Sequence, residues 1–226
     1  MKKSMIAIAA ALLGARAFAQ EGTAYSASSG PPAADGALEI TLGAGYTQGF
    51  GDIGSGQPSL RNLTSAGGEA QLGIGYRINP NFLVGVYGSG GKQSNGIFSG
   101  GSNIHTATAG LQANYHFLPW DTWDPWVGLG AGWRALWIDR PVPVVGTESR
   151  HGLDVARVTV GVDYRISPQL AISPYAGAAV SIFLTQELPG ERVFSNVHSP
   201  NVNVWPMAGV VGRFDFFGGG SPASAK

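Results

Sequence analysis

Residues 68–91 read GEAQLGIGYRINPNFLVGVYGSGG. Ala70, Leu72, Ile74, Tyr76 and Ile78 share one parity, and Glu69, Gln71, Gly73, Gly75 and Arg77 share the other. That two-residue period belongs to an extended strand, because successive side chains of a strand point to opposite faces. Asn79-Pro80-Asn81 then makes a tight turn. Alternation resumes as Phe82, Val84 and Val86 against Leu83, Gly85, Tyr87 and Ser89. The same solution recurs 88 residues later: GYRINPNFLVG at 75–85 matches DYRISPQLAIS at 163–173, with Tyr-Arg-Ile-x-Pro in common. This is one good strand-turn-strand unit used twice, half a set of eight strands apart.

Working outward, the same alternation marks strands over 37–50, 68–79, 82–91, 104–117, 125–139, 152–166, 170–182 and 201–217. Short turns fall at 79–81, 118–124 and 167–169, and longer loops near 51–67, 91–103, 140–151 and 184–200. The predicted fold is all-β, an eight-stranded antiparallel up-and-down barrel.

Alternation fits either a soluble barrel with an apolar interior or a membrane barrel with an apolar exterior. Three features choose the membrane. The strands exceed the roughly 9 to 11 residues that cross the hydrocarbon layer at a tilt near 45°. Short turns alternate strictly with long loops, the asymmetry of a periplasmic and an external end. The non-apolar face carries few charges and many glycines, which suits a narrow lumen better than a solvated surface. Tyr76, Phe82, Phe117, Trp120, Trp123, Trp126, Tyr164 and Phe216 cluster at the turn-side ends and are expected to form an interfacial girdle.

Of 226 residues, 35 are glycine, but without a three-residue period and with 44% hydrophobic content, so neither collagen nor a disordered chain fits. The longest nearly unbroken apolar run, 5–15, is too short for a spanning helix. Residues 1–19, MKKSMIAIAAALLGARAFA, read as a signal peptide: Lys2 and Lys3 precede an apolar run, and Ala17-Phe18-Ala19 predicts cleavage after Ala19. Residues 20–35 read as a flexible periplasmic leader, 36–217 as the barrel and 218–226 as a flexible tail. Loss of Lys2, Lys3 and Arg16 from 14 basic residues leaves 11 against 14 acidic ones, a net −3 that excludes nucleic acid as a partner. With no cysteine, an exported chain draws its stability from sheet hydrogen bonds and packing.

The signal peptide, the eight alternating strands, the three short turns and the terminal aromatic strand VVGRFDFF make the chain resemble the small OmpA/OmpX-like outer-membrane barrels of Gram-negative bacteria, over about 36–217. The resemblance implies insertion by the barrel assembly machinery, both termini in the periplasm, and contact with outer-membrane lipid and lipopolysaccharide. Members commonly stop at the terminal aromatic residue, whereas this chain continues past Phe217.

Strand parity sends Glu39, Glu69, Asp163 and Asp215 into the lumen with Arg77, Arg134, Arg157, Arg165 and Arg213. Every basic residue on those strands is Arg, whose planar fork bridges two carboxylates and stays charged. A lumenal charge network is therefore expected near the turn side, where Glu39, Arg77, Arg213 and Asp215 converge. It reads as a structural plug; as a selectivity constriction it would make a narrow channel for small or apolar solutes. A lipid-modifying enzyme ranks third. His198-Ser199 and His105 are the sites inspected for it, and adjacent loop residues make no dyad. His105, His116, His151 and His198 show no metal-ligand spacing. No catalytic, cofactor or metal residue is therefore assigned. The loops, with Ile97, Phe98, Val142, Val144, Val145, Leu188 and Val193 as scattered apolar residues, are surfaces available to an extracellular ligand. The expected role is a monomeric, non-enzymatic barrel with a structural or surface-interaction task.

Overall fold

The structure is a computed structural model and describes residues 31–96, 101–140, 146–189 and 195–218. The signal peptide, most of the leader, the end of the tail and the loop residues Ile97, Phe98, Val142, Val144, Val145 and Val193 lie outside the described residues.

An extended strand leaves an N–H and a C=O on each edge, and in hydrocarbon every one of them needs a partner. The chain meets this with a closed antiparallel ring. Its strands are β1 (Leu38–Thr47), β2 (Thr64–Asn79), β3 (Phe82–Asn95), β4 (Asn103–His116), β5 (Trp123–Arg140), β6 (Gly146–Ser167), β7 (Leu170–Glu187) and β9 (Val202–Phe216). Each pairs with the next in sequence, and β9 pairs with both β7 and β1 to close the ring. A two-residue strand β8 (Ser195–Asn196) extends the edge of β7, and a single turn of helix α1 (Leu60–Leu63) lies in the first loop. The seam runs from Leu38 opposite Phe216 to Thr47 opposite Met207.

Burial follows parity and is inverted relative to a soluble barrel. Leu42, Leu72, Ile74, Val86, Leu111, Leu129, Val160 and Val210 are exposed, while Arg77, His116, Asp124 and Asp163 are fully buried. Leu83 and Tyr87 are buried and Val86 exposed, as the alternation of the third strand requires.

The strand ends depart from the sequence expectation in ways that matter. β3 runs to Asn95 and so carries Lys92, so the strand-borne bases are not all arginine. β5 begins at Trp123 and takes Asp124 out of the turn and into the lumen. β6 begins at Gly146, six residues before the expected start at 152, so β5 and β6 project as a ladder that reaches Arg140 opposite Gly146.

Parity also changes hands within β6. On β6 Asp154 pairs with Ser181 and Ala156 with Val180, leaving Val155 as an extra residue; on the other side Gly130 and Gly132 face Arg157 and Asp154. This β-bulge puts Val155 and Ala156 on the same outer face. Below it the odd-numbered Arg157, Asp163 and Arg165 are inside, and above it the even-numbered Asp154 is.

Candidate functional site

The lumen is the concave feature the fold creates, and it is filled in three tiers. The lowest sits at the turn side. Glu39 from β1 accepts from Arg77 Nη2 of β2 at 2.5 Å and from Arg213 Nη1 of β9 at 2.6 Å. Arg213 Nε also donates to Asp163 of β6 at 2.9 Å, so one guanidinium bridges two carboxylates. Arg165 reaches Asp124 at 3.3 Å and Asp215 at 3.7 Å, and Arg77 lies 3.9 Å from Asp215. His116 Nδ1 stands 2.8 Å from Asp124 and 3.6 Å from Asp163. Four carboxylates, three guanidiniums and one imidazole thus share a site in which every member is buried. Isolated charges there would each cost several kcal/mol, so mutual pairing is what makes the arrangement stable.

His116 and Asp124 are the members that sequence reasoning missed. His116 enters the sequence reading only as a histidine without metal-ligand spacing, and Asp124 falls there within the turn at 118–124. The available signal for Asp124 is its parity, which matches Trp126 and Gly128.

Trp126 requires a correction. Its proximity to a strand end suggested the lipid girdle, but it is 6% exposed, donates from Nε1 to Ser173 Oγ at 2.8 Å, and carries Arg213 over its ring at 4.5 Å. Its parity, shared with Gly128 and Gly130, sends it inward. The ring supplies a cation–π face to a guanidinium that also serves two carboxylates. Tyr76, Phe82, Phe117, Trp120, Trp123, Tyr164 and Phe216 lie exposed on the outer surface at the turn-side end, with Trp123 and Tyr164 in contact at a centroid distance of 4.8 Å.

The middle tier holds the remaining sequence-derived residues, which do not join the lower network. Arg134 grips Asp154 through Nε at 2.7 Å and Nη2 at 3.0 Å while lying 4.4 Å above the Trp205 ring. Arg157 donates to Gln71 at 3.2 Å and lies over Tyr87 at 4.6 Å. Glu69 accepts from Ser89 at 3.4 Å. Asp154 escaped the sequence reading because the Val155 bulge reverses the parity counted up from Arg157. Between the tiers is a void of about 40 Å³ whose lining includes Gln71, Gln112, Asn114 and Thr159, room for water and little more.

The upper tier is largely apolar, with a buried Glu148–Arg150 ion pair set opposite Ile138 and Leu136. Ile104, Leu136, Ile138, Phe183 and Trp205 face inward from the strands and are fully buried, and Ile53, Leu60, Leu63 and Val197 from the loops complete the cluster. The first loop is therefore no solvated connection. Phe50 bridges Val204, Asp52 bridges Ser59 and Gly54 bridges Pro200, so α1 is tied down over the mouth.

The His116, Asp124 and Asp163 ligand atoms lie within 4.8 Å of one another, a spacing that could suit a metal ion. Arg165 and Arg213 already engage those two carboxylates, so a divalent ion would sit against fixed positive charge. The donor set suits an ion-paired core better. His198 is exposed beside Ser199, and His105 lies on the outer face opposite Lys92 and Trp137.

Comparison with known proteins places this geometry. The outer membrane protein beta-barrel domain family matches residues 5–183. Among solved structures, Neisserial surface protein A (NspA) is 18% identical with a TM-score of 0.52, covering 80% of this chain and 100% of its own. The outer membrane protein OprG from Pseudomonas aeruginosa is 14% identical with a TM-score of 0.50, covering 83% and 99%. At such identities the likeness is one of fold. No curated protein matches the sequence.

Proposed function

The chain belongs to the outer membrane protein beta-barrel domain family, and we propose that in the outer membrane it is a sealed, non-catalytic barrel whose task is structural or surface interaction. The observation that supports this reading is the filling of the lumen by three tiers of side chains among the described residues. An ion-paired tier, an arginine-aromatic tier and a largely apolar tier follow one another, with a void of about 40 Å³ between the first two. Eight strands enclose little more than their own side chains, so each tier needs only a few residues to close.

On this reading the Arg/carboxylate network is a plug rather than a filter, and the external loops carry any contact with another surface. Export with cleavage after Ala19, delivery of the last strand to the assembly machinery and a monomeric state complete the proposal. A narrow channel is the alternative. It would need the α1 loop to leave the mouth and the Arg134–Asp154 pair to part.

Single-channel recording of the full mature chain in planar bilayers separates the two. A silent wild type, with leak appearing when Arg134 is replaced by Ala, is the expected result. Discrete wild-type openings whose ion selectivity changes in Arg77→Ala or Arg134→Ala would make the arginines a filter and overturn the sealed reading.

A further inference from the structure

The guanidiniums of the lower two tiers are not equally served. Arg77, Arg134, Arg165 and Arg213 each form at least one ion pair. Among the described residues Arg157 forms none. It is 6% exposed, donates from Nη2 to Gln71 Oε1 at 3.2 Å and lies 4.6 Å above the Tyr87 ring. Glu69 stands two residues farther toward the loops than Gln71 on β2, where it accepts from Ser89, and it is not part of the wall that Arg157 shares. A buried cation held by neutral groups alone is costly, and a counter-charge at contact distance removes that cost.

Arg157 lines the void between the lower two tiers, and the groups around it are rich in donors. Tyr87 of β3 and Tyr175 of β7 border the same void, both more than nine-tenths buried, and neither hydroxyl has a hydrogen-bond partner. The strands β3 and β7 are four places apart in the ring of eight, so the two hydroxyls come from opposite walls. Gln71 gives its oxygen to Arg157, which leaves its amide NH2 to donate elsewhere. Thr41, Gln112, Asn114 and Thr159 add further hydroxyls and amides to the lining.

Glycines make room for this arrangement. The Tyr175 side chain crosses β9 to reach β1: a Cβ at Gly209 would stand 2.9 Å from its Cε1, and one at Gly45 would stand 2.8 Å from its hydroxyl oxygen. Gly130 faces the Tyr87 ring in the same way, at 3.4 Å from Cε1. These are strand glycines whose missing side chains admit a close approach, here by the rings that carry the two unpartnered hydroxyls. The space left, about 40 Å³, exceeds the roughly 10 to 15 Å³ that one water needs.

We propose that this void is a binding site for one small monovalent anion, a halide such as chloride, held by the Arg157 guanidinium and the Tyr87 and Tyr175 hydroxyls. One unpaired guanidinium calls for one negative charge, and two free O–H donors on opposite walls suit a spherical acceptor only a little larger than water. The inference concerns the void alone and stands whether or not the α1 loop seals the mouth.

The test refolds the full mature chain in bromide, so that the ion has access before the barrel closes, and locates bromide by anomalous diffraction from its crystals. One peak per barrel beside Arg157 is expected. In parallel, urea unfolding of the lipid-embedded protein is compared in chloride and in gluconate, an anion too large for the void, at equal ionic strength. Chloride should raise the midpoint in the wild type and in the surface variant Lys92→Gln. Tyr175→Phe, which keeps the ring on its glycines, should weaken the apparent chloride affinity about fivefold, the effect of one lost hydrogen bond. Arg157→Gln should abolish the chloride effect, and heat-modifiable migration identifies the variants that remain closed; Tyr175→Phe tests the site even if Arg157→Gln does not fold. A void holding water alone in the bromide crystals, or a chloride effect undiminished in closed Tyr175→Phe or Arg157→Gln barrels, would overturn the proposal.

Discussion

Where the strands end in tight turns, the lumen is filled by side chains of the strands themselves: Glu39, Arg77, His116, Asp124, Asp163, Arg165, Arg213 and Asp215. Where they end in loops, Leu60 and Leu63 of α1, Ile53 and Val197 join Ile104, Leu136, Ile138, Phe183 and Trp205 of the strands in one buried cluster. The first plug is ionic and comes into being with the barrel. The second is mainly apolar, with the Glu148–Arg150 pair beside it, and the loops complete what the strands begin. Two fillings at opposite ends of the lumen therefore rest on different physics: one on pairing that cannot be left half made, the other mainly on area removed from water.

That contrast can be broken most forcefully at the ionic end. Arg213→Ala leaves Glu39 with Arg77 alone, takes from Asp163 its hydrogen-bonded guanidinium and removes the cation from the Trp126 face. The expected loss is about 3 to 5 kcal/mol in urea unfolding of the lipid-embedded protein, with the whole barrel melting as one unit. A loss near zero would mean that the network is not a buried core. At the apolar end, Leu60→Ala should cost about 2 to 3 kcal/mol, at the low end of the range for buried leucines. Here the loss should appear as protease sensitivity within 51–63, with heat-modifiable migration retained. Global unfolding would erase the distinction between the two seals. The smallest effect belongs to deletion of Val155. Removing the bulge residue leaves Asp154 and Arg157 inside and both ladders continuous, so unfolding should shift by no more than about 1 kcal/mol. A barrel that failed to assemble would show that the bulge sets the register of β6.

The ionic end was largely legible in the sequence because strand parity is a local property, and Glu39, Arg77, Asp163, Arg165, Arg213 and Asp215 follow it from residue to neighbouring residue. Its omissions have particular causes. Asp124 was hidden by a strand that begins two residues earlier than its apolar pattern, and Trp126 by weighing residue type over parity. Asp154 was beyond reach, since nothing in HGLDVARV announces that Val155 and Ala156 will share a face. The apolar end was less legible still. Leu60 and Leu63 sit in a Gly- and Ser-rich stretch, and what makes them core is a cluster that includes Trp205, 142 residues away in the chain from Leu63. Lys92 was lost with the four residues by which β3 outlasts its alternation.

The placement of Arg213 bears on how the cylinder comes to be shut. It lies on the last strand to leave the secretion channel, yet both its carboxylate partners, Glu39 and Asp163, belong to strands made earlier. Until β9 zips against β1, Asp163 lacks its hydrogen-bonded guanidinium and Glu39 has Arg77 alone. Annealing of the seam and cancellation of charge are thus a single event, an electrostatic latch that penalises the unsealed ribbon and rewards only the finished ring.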